Sequence, residues 1–171
     1  MQGKIKIKGI DQLDFANYKE PSLFIAFPYC SFKCDKEAGC KVCQNRELAN
    51  SPTFNVTIEY ILQLYFNMPI TKAIVLGGLE PLDSMDDLIE LITAVRNVCR
   101  DTIIIYTGYT EEEIGQMDYT YNNAKMNVLD ILKDFGNIII KVGRFIPNDE
   151  KKFDEILGVN LASKNQYAIL I

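Results

Sequence analysis

Four short, largely apolar runs divide this chain: Leu23 to Phe27, Ala73 to Leu76, Thr102 to Tyr106 and Asn137 to Val142. Each is stopped at once, by Pro28, by Gly77-Gly78, by Thr107-Gly108 and by Gly143. Runs without polar alternation read as strands buried on both faces. Between them, apolar residues recur at helical spacing from Val56 to about Phe66 (Ile58, Ile61, Leu62, Tyr65), from Ser84 through Leu88, Leu91, Ile92 and Val95 toward Cys99, and from Asn127 to Asp134. Strands alternating with helices from residue 22 onward predict an α/β fold, a parallel sheet covered by helices. Right-handed crossovers would bring the C-terminal strand ends to one edge, where ligands of open or barrel-like parallel sheets bind. The segments after the strands, including a cysteine-rich stretch, Gly77-Gly78, Thr107-Gly108 and Gly143-Arg144, are therefore expected to meet there.

Weaker signals fill the gaps. Lys4-Ile5-Lys6-Ile7-Lys8 alternates with period two, as a half-exposed edge strand would. Ser84 before Asp86 and Asp87 reads as a helix cap, and Thr110 with Glu113 as a capping box. Tyr119 to Asn123 reads as a surface loop, with partner contact a lesser alternative, and Tyr167 to Ile171 as a last strand. Neither repeat nor linker interrupts the 171 residues, so one domain over 1–171 is expected, long enough to bury roughly two thirds of its unfolded surface.

Composition excludes much chemistry. The chain has no histidine, which removes Ser-His-Asp and Cys-His catalysis and mixed Cys/His zinc sites. A net charge of -5 argues against nucleic acid and anionic membranes as partners. No apolar run approaches the ~20 residues a membrane helix needs. The N-terminal residues show no secretory pattern, so a cytoplasmic location is expected.

Chemistry then falls to the cysteines. Four stand in the spacing Cys30-x3-Cys34-x5-Cys40-x2-Cys43, in a polar stretch that reads as a loop. Four thiols this dense, in a chain without an export signal, read as metal ligands rather than disulfides. An iron–sulfur cluster, a structural zinc and redox thiols all fit the spacing. Cys99, near the end of an apolar helix, reads as a core thiol.

Cys30-Ser31-Phe32-Lys33-Cys34, Cys43-Gln44-Asn45 and Gly77-Gly78-Leu79-Glu80-Pro81 resemble the radical S-adenosylmethionine (SAM) superfamily. Ile105-Tyr106-Thr107-Gly108-Tyr109-Thr110 and the tail from Gly158 to Gln166 are similar to the activating proteins of anaerobic ribonucleotide reductase. The resemblance runs from about residue 22 to the C-terminus. It implies a partial (β/α) barrel with a mostly parallel, curved sheet. It further implies three cysteines on a [4Fe-4S] cluster whose fourth iron is chelated by SAM, with one-electron reduction yielding methionine and a 5'-deoxyadenosyl radical.

The family spacing, Cys-x3-Cys-x2-Cys, is absent here. Matching from both ends assigns Cys30, Cys34 and Cys43 as ligands, with Asp35 to Lys41 inserted; Cys34, Cys40 and Cys43 form the competing frame. The resemblance also implies cofactor contacts from Val42 near adenine, Asn45, the Gly77-Gly78 backbone, Glu80 on the methionine ammonium and Thr107. Against these stand simpler roles: a core valine, an ordinary glycine turn, a hydroxyl capping its own turn. The roles of Lys141 and Arg144 stay open. The activity implied is glycyl-radical generation on a class III ribonucleotide reductase, fed by a low-potential donor such as flavodoxin or ferredoxin. Alternatives are a radical SAM enzyme acting on another glycyl radical enzyme or peptide, and a non-catalytic zinc or iron–sulfur binding module.

Overall fold

The computed structural model describes residues 3–171. The four apolar runs become β3 (Ser22–Phe27), β5 (Ala73–Gly78), β6 (Thr102–Tyr106) and β9 (Ile138–Val142). They lie side by side, all parallel, in the register Ala26↔Gly77, Leu76↔Ile105 and Ile105↔Ile140. Antiparallel strands close both flanks: β2 (Gly9–Asp14) beside β3, and β12 (Tyr167–Leu170) beside β9. The result is a six-stranded mixed sheet in the order β12-β9-β6-β5-β3-β2. Its edges stay open and no barrel closes among the described residues.

Both faces are covered, as the uniform apolarity of the strands requires. On one face Leu23, Ile25, Ile74, Leu76, Ile103, Ile105 and Ile140 pack beneath α3 (Ile58–Phe66), α4 (Met85–Val98) and α6 (Val128–Phe135). The alternate residues Ala73, Val75, Ile104 and Ile139 meet Tyr18, Leu157, Leu161 and Ala168 on the other. That second cover is mostly the C-terminal segment, folded as the hairpin of β10 (Lys152–Asp154) and β11 (Val159–Leu161). Among the described residues no helix is long and apolar enough to cross a membrane.

Several elements depart from the sequence expectation. The cysteine stretch is not all loop: α1 (Lys33–Ala38) and α2 (Arg46–Asn50) stand within and just after it. Val56 belongs to β4 (Phe54–Thr57), which pairs with β1 (Lys4–Ile7) as a separate two-stranded ribbon. The helix begins only at Ile58, capped by Thr57. Tyr119 to Asn123 is a hairpin, not a surface loop: β7 (Asp118–Tyr121) turns into β8 (Ala124–Asn127) through Asn122 and Asn123, both at positive φ. Two successive positive-φ residues suit the tight turn of a twisted hairpin, and asparagine tolerates them. Tyr119 and Tyr121 then lay their rings against the helix-side core.

Candidate functional site

The loops following β3, β5, β6 and β9 meet at the C-terminal edge of the sheet, around a cavity of about 480 Å³. Cys30, Cys34 and Cys43 line it. Cys40 is exposed and is not on its wall. Cys99 sits apart at the end of α4, half-buried against the helix-side core.

The thiols are held by their own backbone. Phe32, at φ 53, enters α1 in the left-handed region and points its N–H at Cys30 Sγ, 3.2 Å away. A backbone N–H at Asn45 serves Cys43 in the same way. Burial nevertheless pushes Cys30 up to about 11, with Glu80 and Asp83 adding to the rise, and pushes Cys43 up as well. The bare chain therefore holds these two groups as thiols, and metal binding there would release protons. Among the described residues no three Cys, Asp or Glu side chains converge as a single ion requires. Three soft sulfur donors around one cavity are the donor set of an iron–sulfur cluster, in which each thiolate holds a different iron. The residues fit such a group.

The cysteine segment is tied to the elements that follow β5 and β6. Asp83 accepts from the Tyr109 hydroxyl at 2.6 Å and from the Ser31 N–H. Lys33 pairs with Glu113 at 3.1 Å and lies 4.3 Å from the centre of the Tyr109 ring. Glu113 closes the capping box of α5 (Glu111–Gly115) and also takes a bidentate grip from Arg144, at 2.6 and 2.7 Å. This cationic company, led by Arg144, holds its carboxyl well below the usual range.

Glu80 is 5% exposed and lines the cavity. Its two oxygens accept from Gly108 N–H at 2.8 Å and Leu82 N–H at 3.2 Å. Burial outweighs these donors and pushes it up to about 7. Thr107 also lines the cavity; its hydroxyl accepts from Tyr109 N–H at 3.0 Å, the local turn cap that sequence offered as the simpler role. Asn45 lines it too and donates to the Gly78 carbonyl at 2.7 Å. Gly78 has φ 83, and a Cβ there would stand 2.6 Å from Ala26 Cα on the paired strand, so the position admits only glycine without movement. Gly77 and Val42 are not on the cavity wall. Gly77 lies against the Phe24 ring, and Val42 turns its N–H to Asp35 at 2.8 Å.

Of the two cations left open by sequence, Lys141 faces the cavity and Arg144 does not. Lys141 is 7% exposed, donates to the Gly143 carbonyl at 3.1 Å, and is pushed down to about 8 by burial. Arg144 belongs to the neighbouring 470 Å³ cavity, which shares Cys34 and Phe145 with the first. Sequence reasoning gave no site role to several residues of the wall, among them Phe24 and Tyr106 from the sheet face opposite the helices, Asn17 from the loop between β2 and β3, and Asn160 and Gln166 from the tail. Phe24 and Tyr106 were legible in principle. They are aromatic residues of largely aliphatic strands, Phe24 within β3 and Tyr106 at the C-terminal end of β6.

A comparison with curated proteins finds no match. A family model does match, over residues 22–166, from the first residue of β3 through the cysteine segment to the tail that covers the cavity. With its thiols gathered on one wall of that matched region, the chain belongs to the 4Fe-4S single cluster domain family.

Proposed function

We propose that this chain is a radical SAM activase. Cys30, Cys34 and Cys43 hold the [4Fe-4S] cluster, one iron is left for S-adenosylmethionine, and the activity generates a glycyl radical on an anaerobic ribonucleotide reductase. The reading is carried by one observation: three thiols, not four, share a cavity with Gly78, Glu80 and Thr107, while Cys40 stands outside it. A four-iron cluster with three protein thiolates keeps one iron open, as a catalytic metal keeps an open position. When bound, the reduced cluster supplies the electron for reductive cleavage of the sulfonium.

The chain's own groups supply binding and shielding. Glu80, buried and anchored by two backbone N–H groups, is a fixed acceptor for an ammonium. Gly78 leaves room for close approach, and Asn45 is held on its carbonyl. Lys141 places a buried cation on the same wall, suited to a carboxylate. Phe24, Phe145 and Leu161 add apolar surface that limits water. A substrate that is itself a protein segment suits a cavity at an open sheet edge, with flavodoxin or ferredoxin as donor.

The test is electron paramagnetic resonance of the anaerobically reconstituted, reduced protein with and without SAM. The reading expects a cluster signal whose shape changes on adding SAM. A signal that SAM leaves untouched overturns it in favour of a binding module. Transfer of deuterium from the reductase's glycine into 5'-deoxyadenosine then checks the substrate, and transfer only from another glycyl radical enzyme would move the assignment there.

A further inference from the structure

The segment between Cys34 and Cys43 is eight residues long, and nothing in that spacing alone returns Cys43 to the wall that Cys30 and Cys34 occupy. Asn45 ties the far end to the Gly78 carbonyl, and one further side chain closes the excursion on itself. Asp35 lies in the first turn of α1, which ends at Gly39 with φ 67 and so turns the chain back. Asp35 Oδ1 accepts from Val42 N–H at 2.8 Å and from Cys43 N–H at 2.9 Å. Its Oδ2 pairs with the Arg46 guanidinium. That guanidinium in turn lies 4.7 Å from the centre of the Phe32 ring, between Cys30 and Cys34 in sequence. One carboxylate thus joins the residue after Cys34, the backbone of Cys43 and the residue three beyond it. Its side chain is 15% exposed, so its bonds compete little with water.

We infer that Asp35 is a positioning residue for the cluster: by closing the Cys34–Cys43 excursion on itself, it fixes Cys43 at ligating position. This rests on the reading of Cys30, Cys34 and Cys43 as cluster ligands. Asp35 touches no thiol in this role and acts through the backbone of Cys43. Groups that orient a metal's ligands characteristically cost about ten-fold or more in metal affinity when removed.

The experiment compares the parent chain with Asp35→Ala and Asp35→Asn after anaerobic reconstitution with ferrous iron and sulfide. It reads iron and sulfide per chain, the lifetime of the visible cluster absorption under a ferrous chelator, and thermal unfolding of the iron-free chains. Asp35→Ala is expected to shorten the cluster lifetime about ten-fold, with the unfolding midpoint of its iron-free form near the parent's. Asp35→Asn keeps one oxygen for the two N–H groups and is expected to restore part of the lifetime. Parent-like cluster lifetime in Asp35→Ala overturns the inference. Should Asp35→Ala not fold, Asp35→Asn decides alone: a lifetime shorter than the parent's supports the inference, and an equal one overturns it. A parent chain that takes up no iron overturns the cluster reading itself, and this assignment with it.

Discussion

The two ends of the parallel sheet each carry a buried arginine beside a cavity of similar size, and they do opposite things with it. At the N-terminal edge, Arg96 is 7% exposed and spends its guanidinium on main-chain carbonyls of Asp101, Phe135, Gly136 and Asn137, at 2.8 to 3.2 Å. The cavity there, about 570 Å³, is lined by Arg96 and Arg100 with the turn before β9, and by no thiol. At the C-terminal edge, Arg144 is 8% exposed and spends its guanidinium largely on carboxylates, Glu113 of α5 and Glu37 of α1, the helix within the cysteine segment. A cation absorbed by backbone carbonyls staples the ends of strands. One absorbed by side chains organises loops around groups that remain available. Volume does not distinguish the two edges; chemistry does.

Removing thiols should separate them most sharply. Cys30→Ser or Cys43→Ser is expected to abolish cluster content while Cys40→Ser retains it, as iron and sulfide per chain would measure. Loss on Cys40→Ser with retention on Cys30→Ser would exchange the ligand frame for the competing one. None of the three should weaken the iron-free fold greatly, because no cysteine at this edge is fully buried.

At the opposite edge the effect is expected in stability alone. Arg96→Met leaves the carbonyls of Asp101, Phe135 and Gly136 without their donor, while that of Asn137 keeps the Ile103 N–H. At about 1 kcal/mol for each of the three, the loss is about 3 kcal/mol in chemical denaturation. Reconstitution of the folded fraction should be unchanged. If cluster content fell as steeply as stability, the edges would not be independent.

Glu80 ties the same comparison to pH. Burial lifts its folded pKa from 4.5 to about 7, so folding favours its protonated form. Its contribution to the iron-free chain is full below about pH 4.5 and is lost as pH rises through 7, a span worth about 3 kcal/mol. Glu80→Gln, which mimics the protonated group, should remove that slope. The stability of the parent relative to the variant should fall between pH 4.5 and 8 by urea denaturation, and a constant difference would show that Glu80 is not desolvated. Glu113 has the opposite sign. Its depressed pKa makes its contribution present above the ordinary carboxylate range and lost in acid.

How much of this was legible in sequence follows from the range of each interaction. The four parallel strands and their convergent loops announced themselves as apolar runs stopped by Gly or Pro, because burial on two faces leaves no room for polar alternation. The β10–β11 hairpin did not. Its strands are three residues long, and they exist because the tail folds onto Ala73, Val75, Ile104 and Ile139, a tertiary event with no local period. Asn122-Asn123 did carry a hairpin signal, obscured by tyrosines that read as surface and in fact pack on the core. At the site, the thiols, Glu80 and Thr107 were visible as residue types. Asp35 was not, since its role depends on a helix inside what read as a loop. The open edges were equally hidden: whether four parallel strands continue into a barrel or stop at β2 and β12 is decided by pairing across the sheet.

The smallest expected effect tests two sequence signals that looked alike. Thr110 and Ser84 both read as helix caps, and only Thr110 makes one: its hydroxyl accepts from Glu113 N–H at 3.2 Å, while Glu113 returns a bond to Thr110 N–H at 2.9 Å. Ser84 makes no capping bond, and its buried hydroxyl has no hydrogen-bond partner. The cause lies upstream. Pro81–Ser84 already forms a 3-10 turn running into α4, and that turn is capped by Glu80, whose carboxylate takes Leu82 N–H. The start of the helical stretch has moved from Ser84 to the cavity wall. Thr110→Ala should therefore cost about 1 kcal/mol in denaturation, and Ser84→Ala less than about 0.5. Equal costs would restore Ser84 as a cap of α4.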